Sequence, residues 1–449
     1  NWNGGTNTQI YALNGTDWCN VPFSESFTNV MPAWLQLKYA HANGLLNDDI
    51  FAVANILKVM SLHRVSDIYG PLPVLHFGET ENPYNSQEEC YMHFFETLDS
   101  AIAVLKDVVE NNPDAKPLEE VDALYHGDYS KWLKLANSVK LRLAMRICYV
   151  KPDLAKQYAM EAVRDGVMET ADDSALFQSW GSITIINPLE KIWNGYSDTR
   201  MGASMDSYLN GYNDPRLPVY FQPVTDGDNK GEYRGVANGM PNPQQDDYKV
   251  MSAPNVQEKS TDSPLRWMMA SEVAFLRAEG AMRGWTAEMG GTAEEFYNKG
   301  IELSFLENGL SADAAARYAA DETSKPTDFT DVSAANTKYN ISALGKITIK
   351  WNAGASEEEQ LERIITQKWI AMFPNGTEAW SEFRRTGYPR LFPVRYNYPS
   401  SGVDTNKQIR RMVFPQSEYS NNGAAVQEAV KLLGGPDNGG TKLWWDKKN

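Results

Sequence analysis

The sequence predicts a mostly α-helical protein in which helical hairpins, packed in the manner of tetratricopeptide arrays, carry a loop-rich ligand-binding lobe. Three observations predict it. Apolar residues recur at helical spacing in several long stretches, and prolines, glycines and asparagines cut those stretches into pairs. Between residues 174 and 256 that periodicity gives way to Gly, Pro, Asn, Asp and aromatics.

The clearest pair lies at 361–393. Ser356 followed by Glu357, Glu358 and Glu359 reads as an N-cap with negative charge beside the free N–H groups of a first turn. Leu361, Ile364, Ile365, Trp369, Ile370 and Phe373 then form one buried stripe. Pro374, Asn375 and Gly376 break the helix, and a second one carries Ala379, Trp380 and Phe383 until Gly387 and Pro389 stop it. Similar patterns predict helices over 48–65, 85–111, 128–150, 152–166, 265–282, 292–307, 313–320 and 424–433. The scaffold therefore occupies mainly 32–166 and 265–386, with the irregular lobe at 174–256 and a short strand expected at 218–222. All of it is read as a single domain, 1–449.

Composition narrows the function. Acidic residues number 58 against 42 basic, a formal net charge of -16, which disfavours nucleic acid because phosphate backbones require a basic footprint. Aromatics reach 11% with 13 Trp and 22 Tyr, suiting ligands with apolar faces and hydroxylated edges. Cys19, Cys90 and Cys148 are odd in number and lack CxxC spacing, so no disulfide framework is expected. No stretch has the length of a membrane-spanning helix. The chain starts in polar sequence at Asn1 without a leader and is read as a trimmed mature form.

Catalytic patterns are absent. His41, His63, His76, His93 and His126 are dispersed and form no HExxH or short-spaced pair, so neither a metal nor another cofactor is expected. Glu272 and Glu279 share a helix face but stand near Arg277 and Arg283, which points to ion pairing. Arg384 and Arg385 are read as bonding terminal carbonyls or bridging to the C-terminal segment. Acidic loops at Asp226 and Asp228 hold oxygen ligands but no EF-hand spacing, and an ordinary turn explains them. The aromatics of irregular regions, Trp18, Tyr69, Trp180, Trp193, Tyr196, Tyr208 and Tyr212, are the candidate ligand contacts. An exposed indole or phenol can stack on a sugar face while neighbouring polar groups bond its hydroxyls. Core packing is the competing reading for each.

Six stretches, in order, resemble the SusD/RagB family of outer-membrane nutrient-binding lipoproteins. They are RVSDIYGPLPV at 64–74, KWLKLANSVKLRLAMRI at 131–147, NDPRLPVYF at 213–221, MASEVAFLRAEGAMRGW at 269–285, IITQKWIAMFPNGTEAWSEFRRTGYP at 364–389 and IRRMVFPQSEYSNN at 409–422. The resemblance implies a tetratricopeptide-like scaffold and a non-catalytic role. It implies tethering by a lipidated cysteine to the outer face of the outer membrane in Bacteroidetes, and delivery of an oligosaccharide to a SusC-like TonB-dependent transporter. The family's lipidated cysteine has no counterpart here. Asp67, Tyr69, Arg142, Arg146, Glu272, Glu279, Arg384 and Arg385 resemble its structural positions, leaving Trp180, Trp193, Tyr196, Trp18 and Tyr69 as the expected ligand contacts. A scaffold subunit of the transporter complex, a binder of peptides or glycopeptides, and a glycoside hydrolase are the alternatives.

Overall fold

The computed structural model describes residues 10–13, 17–197, 199–240, 245–255 and 263–448. They form two compact units. The N-terminal unit holds the described residues of 13–168 with 399–403 and 409–448; the central unit holds those of 169–398 with 10–12 and 404–408.

In the N-terminal unit, α1 (Met31–Ala42), α2 (Asp48–Tyr69), α3 (Gln87–Asn111), α4 (Tyr129–Arg146) and α5 (Pro152–Arg164) pack each against the next. Caps set the ends. Ser86 and Glu89 form a reciprocal capping box at α3, and Asp128 accepts the Ser130 and Lys131 amides at α4. Ile56, Val59 and Leu62 of α2, Phe94, Phe95 and Leu98 of α3 and Leu135, Val139 and Leu143 of α4 are all fully buried where these helices pack. Lys140 lies inside that packing and is held by Asp99 and Glu161 at 2.6 and 2.7 Å. A C-terminal helix, Gln416–Leu433, kinks at Asn422 and starts earlier than its apolar pattern suggests.

The central unit begins with β1 (Ala175–Phe177), which pairs antiparallel with β2 (Leu265–Met268). Residues 265–268 are thus strand, and the helix expected from 265 begins five residues later as α6 (Ala270–Met282). The strand expected at 218–222 is instead a helical turn, Leu217–Tyr220, started by Pro218 at its first turn. After α6 come α7 (Ala293–Leu306), α8 (Ala312–Ala319), α9 (Glu357–Ala371) and α10 (Gly376–Thr386). Helix α6 packs on both α7 and α9. Gly300 permits the close approach of α7, since a Cβ there would lie 2.7 Å from the Phe275 ring. Ser356 caps α9 as its sequence implies, and Gly387 ends α10 in the left-handed conformation at φ 81°.

The core of this unit joins Phe275, Tyr297, Ile301 and Phe305 to Ile349, Ile364, Ile365 and Ile370. Tyr208 and Tyr212 belong to it, each 1% exposed, so these two phenols are core and not ligand contacts. Arg384 Nε donates to a carbonyl of its own helix, that of Trp380, at 3.4 Å, whereas Arg385 turns inward. Arg384 lies 3.5 Å over the Trp380 ring, and Arg385 bonds Glu279 and Glu382 in the interior. All three cysteines are buried and outside any disulfide. No described helix is long and apolar enough to cross a membrane.

Candidate functional site

The irregular stretch of the central unit is fixed first at its base. Glu307, just past α7, accepts the Ser174 hydroxyl at 3.0 Å and the Ser271 hydroxyl at 2.5 Å. Burial pushes its carboxyl up, against the opposing effect of those hydrogen bonds. From that anchor β1 delivers Phe177, whose ring stacks on Trp267 of β2 at 4.6 Å and 16°. Both rings are half-buried. The sequence reading nominated neither, because the cross-strand pairing of 177 with 265 is a long-range event.

Beyond β1 the chain turns back on itself. Trp180 and Ile183 exchange backbone hydrogen bonds of 3.0 and 2.8 Å, and the Ser179 hydroxyl accepts the Ile185 amide at 2.9 Å. This turn leaves the Trp180 indole 37% exposed. Asn187 is buried, caps the turn Pro188–Glu190 through the Leu189 amide, and donates to the Ser263 carbonyl beside β2. The wide helical turn Lys191–Gly195 then sets the Trp193 ring parallel to Phe373 at 6.0 Å and 14°. Phe373 is itself wedged against Tyr220 and Phe221 at 4.8 and 5.0 Å. Tyr196 follows, 48% exposed, with the Lys191 ammonium 5.5 Å from its ring centre. The Arg200 guanidinium closes the segment by donating to the carbonyls of Ser197, Thr199 and Lys249.

The result is a short segment, pinned at several points, that carries three aromatics. Trp180 and Tyr196 are open and Trp193 is seated. Such an arrangement presents apolar ring faces with little left to order on binding. No group of His, Cys, Asp and Glu among the described residues is placed to hold a metal ion. Asp226 accepts the Gly227 amide in an exposed turn.

The profile of the SusD-like family, described as Susd and RagB outer membrane lipoprotein, matches residues 1–446. The chain belongs to the SusD-like family. Solved SusD homologues agree over the whole length. A chitin-binding SusD homologue from Flavobacterium johnsoniae is 40% identical with a TM-score of 0.92, covering 100% of this chain and 90% of its own. A SusD-like protein from Bacteroides thetaiotaomicron is 38% identical with a TM-score of 0.92, over 100% and 91% of the two chains. A SusD homologue from Bacteroides vulgatus is 34% identical with a TM-score of 0.91, over 99% and 88%. No curated protein matches the chain. This SusD-like protein is accordingly a non-catalytic outer-membrane lipoprotein of a family built on a tetratricopeptide-like helical scaffold.

The two remaining expected contacts of this SusD-like chain lie in its N-terminal unit and fare differently. Trp18 is 70% exposed on a short turn, Asp17–Cys19. Tyr69 is fully buried at the end of α2, where its hydroxyl donates to the Cys19 carbonyl at 2.6 Å and its ring meets Phe23 edge-on at 5.6 Å. Burial pushes its phenol well up. Tyr69 therefore offers no face to a ligand and holds the Cys19 turn in place. Its neighbour in the family stretch, Asp67, is likewise structural, accepting from Tyr91 and from the Trp445 indole.

Proposed function

We propose that this SusD-like protein captures an oligosaccharide at the cell surface on the aromatic segment of its central unit and passes it to a SusC-like TonB-dependent transporter. The observation that carries the reading is the pinned loop that leaves Trp180 and Tyr196 open beside a seated Trp193. Flat apolar faces suit pyranose rings, whose axial C–H groups stack while equatorial hydroxyls stay wet. Phe177 and Trp267 form a further half-buried stacked pair in the same unit. Trp18, an exposed indole of the N-terminal unit, is a separate expected contact.

Oligomers of N-acetylglucosamine are the first ligands to test, because the Flavobacterium johnsoniae homologue, 40% identical, binds chitin. Transfer to a transporter gains from tethering, which raises the effective concentration of a weakly bound ligand at its acceptor. Titration calorimetry with a chitin oligomer series, alongside starch, xylan and host glycan fragments, tests the ligand. Saturable binding that weakens in Trp180→Ala supports the reading. A folded protein that binds no saccharide sinks it and favours a scaffold or peptide-binding role. Co-purification from outer membranes of the native host tests the transporter partner separately.

A further inference from the structure

A second concave feature of the central unit lies away from the aromatic segment. It is a groove of about 470 Å³ lined by the 346–348 strand-like run, the first turns of α9 and the chain after α10. Its walls carry Lys325, Lys346, Arg363 and Arg390 against Glu358, Glu359 and Glu362. Each carboxylate already has a donor within the groove. Glu359 accepts Arg363 Nη1 at 2.6 Å, Glu362 accepts Arg390 Nε on both oxygens at 3.2 and 3.1 Å, and Glu358 accepts the Tyr388 hydroxyl at 2.9 Å.

The donors are not spent. Among the described residues Lys325 and Lys346 meet no acceptor at all, and Arg390 uses only Nε, which leaves its two terminal nitrogens unengaged. Its side chain is 49% exposed and lies with its guanidinium 5.3 Å from the Tyr388 ring centre. The Thr348 and Ser356 hydroxyls accept from Arg363 and from the Glu359 amide, so their own protons are also available. Four cations against three carboxylates leave the groove one positive charge in excess, and Lys325, Lys346 and Arg390 retain free N–H groups. Ammonium and guanidinium groups with unspent donors pair with oxyanions, and the guanidinium fork fits carboxylate and sulfate geometry.

We infer that this groove is a second ligand site that takes the carboxylate or sulfate group of an acidic sugar, with Lys325, Lys346 and Arg390 as its recognising residues. The oxyanion preference stands on the groove alone; the sugar half of the ligand rests on the glycan-binding function. Neighbouring carboxylates restrict the site to one compact anionic group, since a polyanion would meet Glu358 and Glu359 at the rim.

The test is ligand-observed NMR titration of the purified chain with glucuronate, glucose 6-sulfate, glucose and inorganic sulfate at low and high salt. Wild type is compared with Lys325→Gln/Lys346→Gln and with Trp180→Ala. Both lysines are exposed and make no internal contact to lose, so the double variant is expected to fold. The expected result is binding of the two sugar acids at least about tenfold tighter than glucose, weakened by salt, lost in the double lysine variant and retained in Trp180→Ala. Retention in Trp180→Ala separates this site from the aromatic one. Equal binding of glucose, no binding of either acid, indifference to the lysine substitutions, or inorganic sulfate binding as tightly as the sugar acids would each overturn it.

Discussion

Arg385 of α10 forks onto both carboxylate oxygens of Glu279 in α6, with Nη2 to Oε2 at 2.6 Å and Nη1 to Oε1 at 2.7 Å, and both side chains are buried. Arg385 also bonds Glu382, which in turn accepts Lys368 of α9 at 3.0 Å. One buried ion network therefore ties the consecutive helices α9 and α10 to α6, far upstream in the sequence. Burial alone would raise the Glu279 carboxyl, but Arg385 and Arg283 outweigh it and hold the group well below the usual carboxylate range.

Breaking that network is expected to be costly. Glu279→Gln leaves Arg385 and Arg283 short of a counter-charge and should remove about 3–5 kcal/mol of stability, read as a lower denaturant midpoint by circular dichroism. A Glu279→Met/Arg385→Met double variant should lose less than the sum of its singles. The sign with pH follows from the lowered carboxyl: its contribution is full above the unfolded carboxylate range and fades as pH falls through the folded value. A Glu279→Gln variant as stable as wild type at neutral pH would refute the account.

Lys58 of α2 predicts the opposite limb of the pH profile. Its ammonium is buried, 3.1 Å from His93 Nε2 and 4.0 Å over the Trp34 ring, with Lys38 as the neighbouring charge. Burial, aided by Lys38, brings it down to about 7. Between about 7 and the unfolded lysine value near 10.4 the unfolded chain binds the extra proton, so stability rises with pH across that window. Lys58→Met should raise stability most at or below pH 7 and flatten the rise above it. Chemical denaturation at pH 6, 8 and 10 checks both, and an unchanged slope would count against the assignment.

The Asp67 hub binds the far C-terminal region to α2. Its Oδ1 accepts the Tyr91 hydroxyl at 2.5 Å and the Trp445 indole at 2.8 Å, with Arg146 Nε 3.4 Å from Oδ2. Trp445→Phe keeps most of the buried ring but removes one charge-assisted donor, which should cost about 1.5–3 kcal/mol. Asp67→Ala should cost more, since it removes the acceptor of both Tyr91 and Trp445 and a negative charge beside the buried Arg146. Thermal melts of the two variants give the comparison, and a smaller loss in Asp67→Ala would contradict the hub.

How far the sequence carried depends on range. Helix ends were legible where the signal is local: Ser356, Ser86 and Gly387 each act as their residue types imply. The buried partners of Arg385 were not, because Glu279 lies 106 residues away and nothing local selects it over a terminal carbonyl. Residues 265–268 continue an apolar run into α6, and only the strand 175–177 makes them extended. At the candidate site, Trp180, Trp193 and Tyr196 were named from their setting in an irregular stretch. Phe177 and Trp267 escaped because their stack exists only once the two strands pair. Tyr69 was misjudged for a related reason: the Cys19 carbonyl that claims its hydroxyl is 50 residues upstream.

The three aromatics of the loop should separate into two behaviours, because one is seated and two are open. Trp193 lies parallel to Phe373, which is packed on Tyr220 and Phe221, so Trp193→Ala removes a ring stack as well as a ligand face. It should lower stability by about 1–3 kcal/mol and weaken glycan binding together. Trp180 is 37% exposed and its turn is held by backbone bonds and Ser179, so Trp180→Ala should leave the melting temperature within about a degree while weakening binding roughly tenfold. Tyr196→Phe tests the polar edge alone, keeping the ring and deleting the hydroxyl. If Trp180→Ala destabilised the fold as much as Trp193→Ala, the open indole would be a packing residue, and the aromatic segment would lose its leading contact.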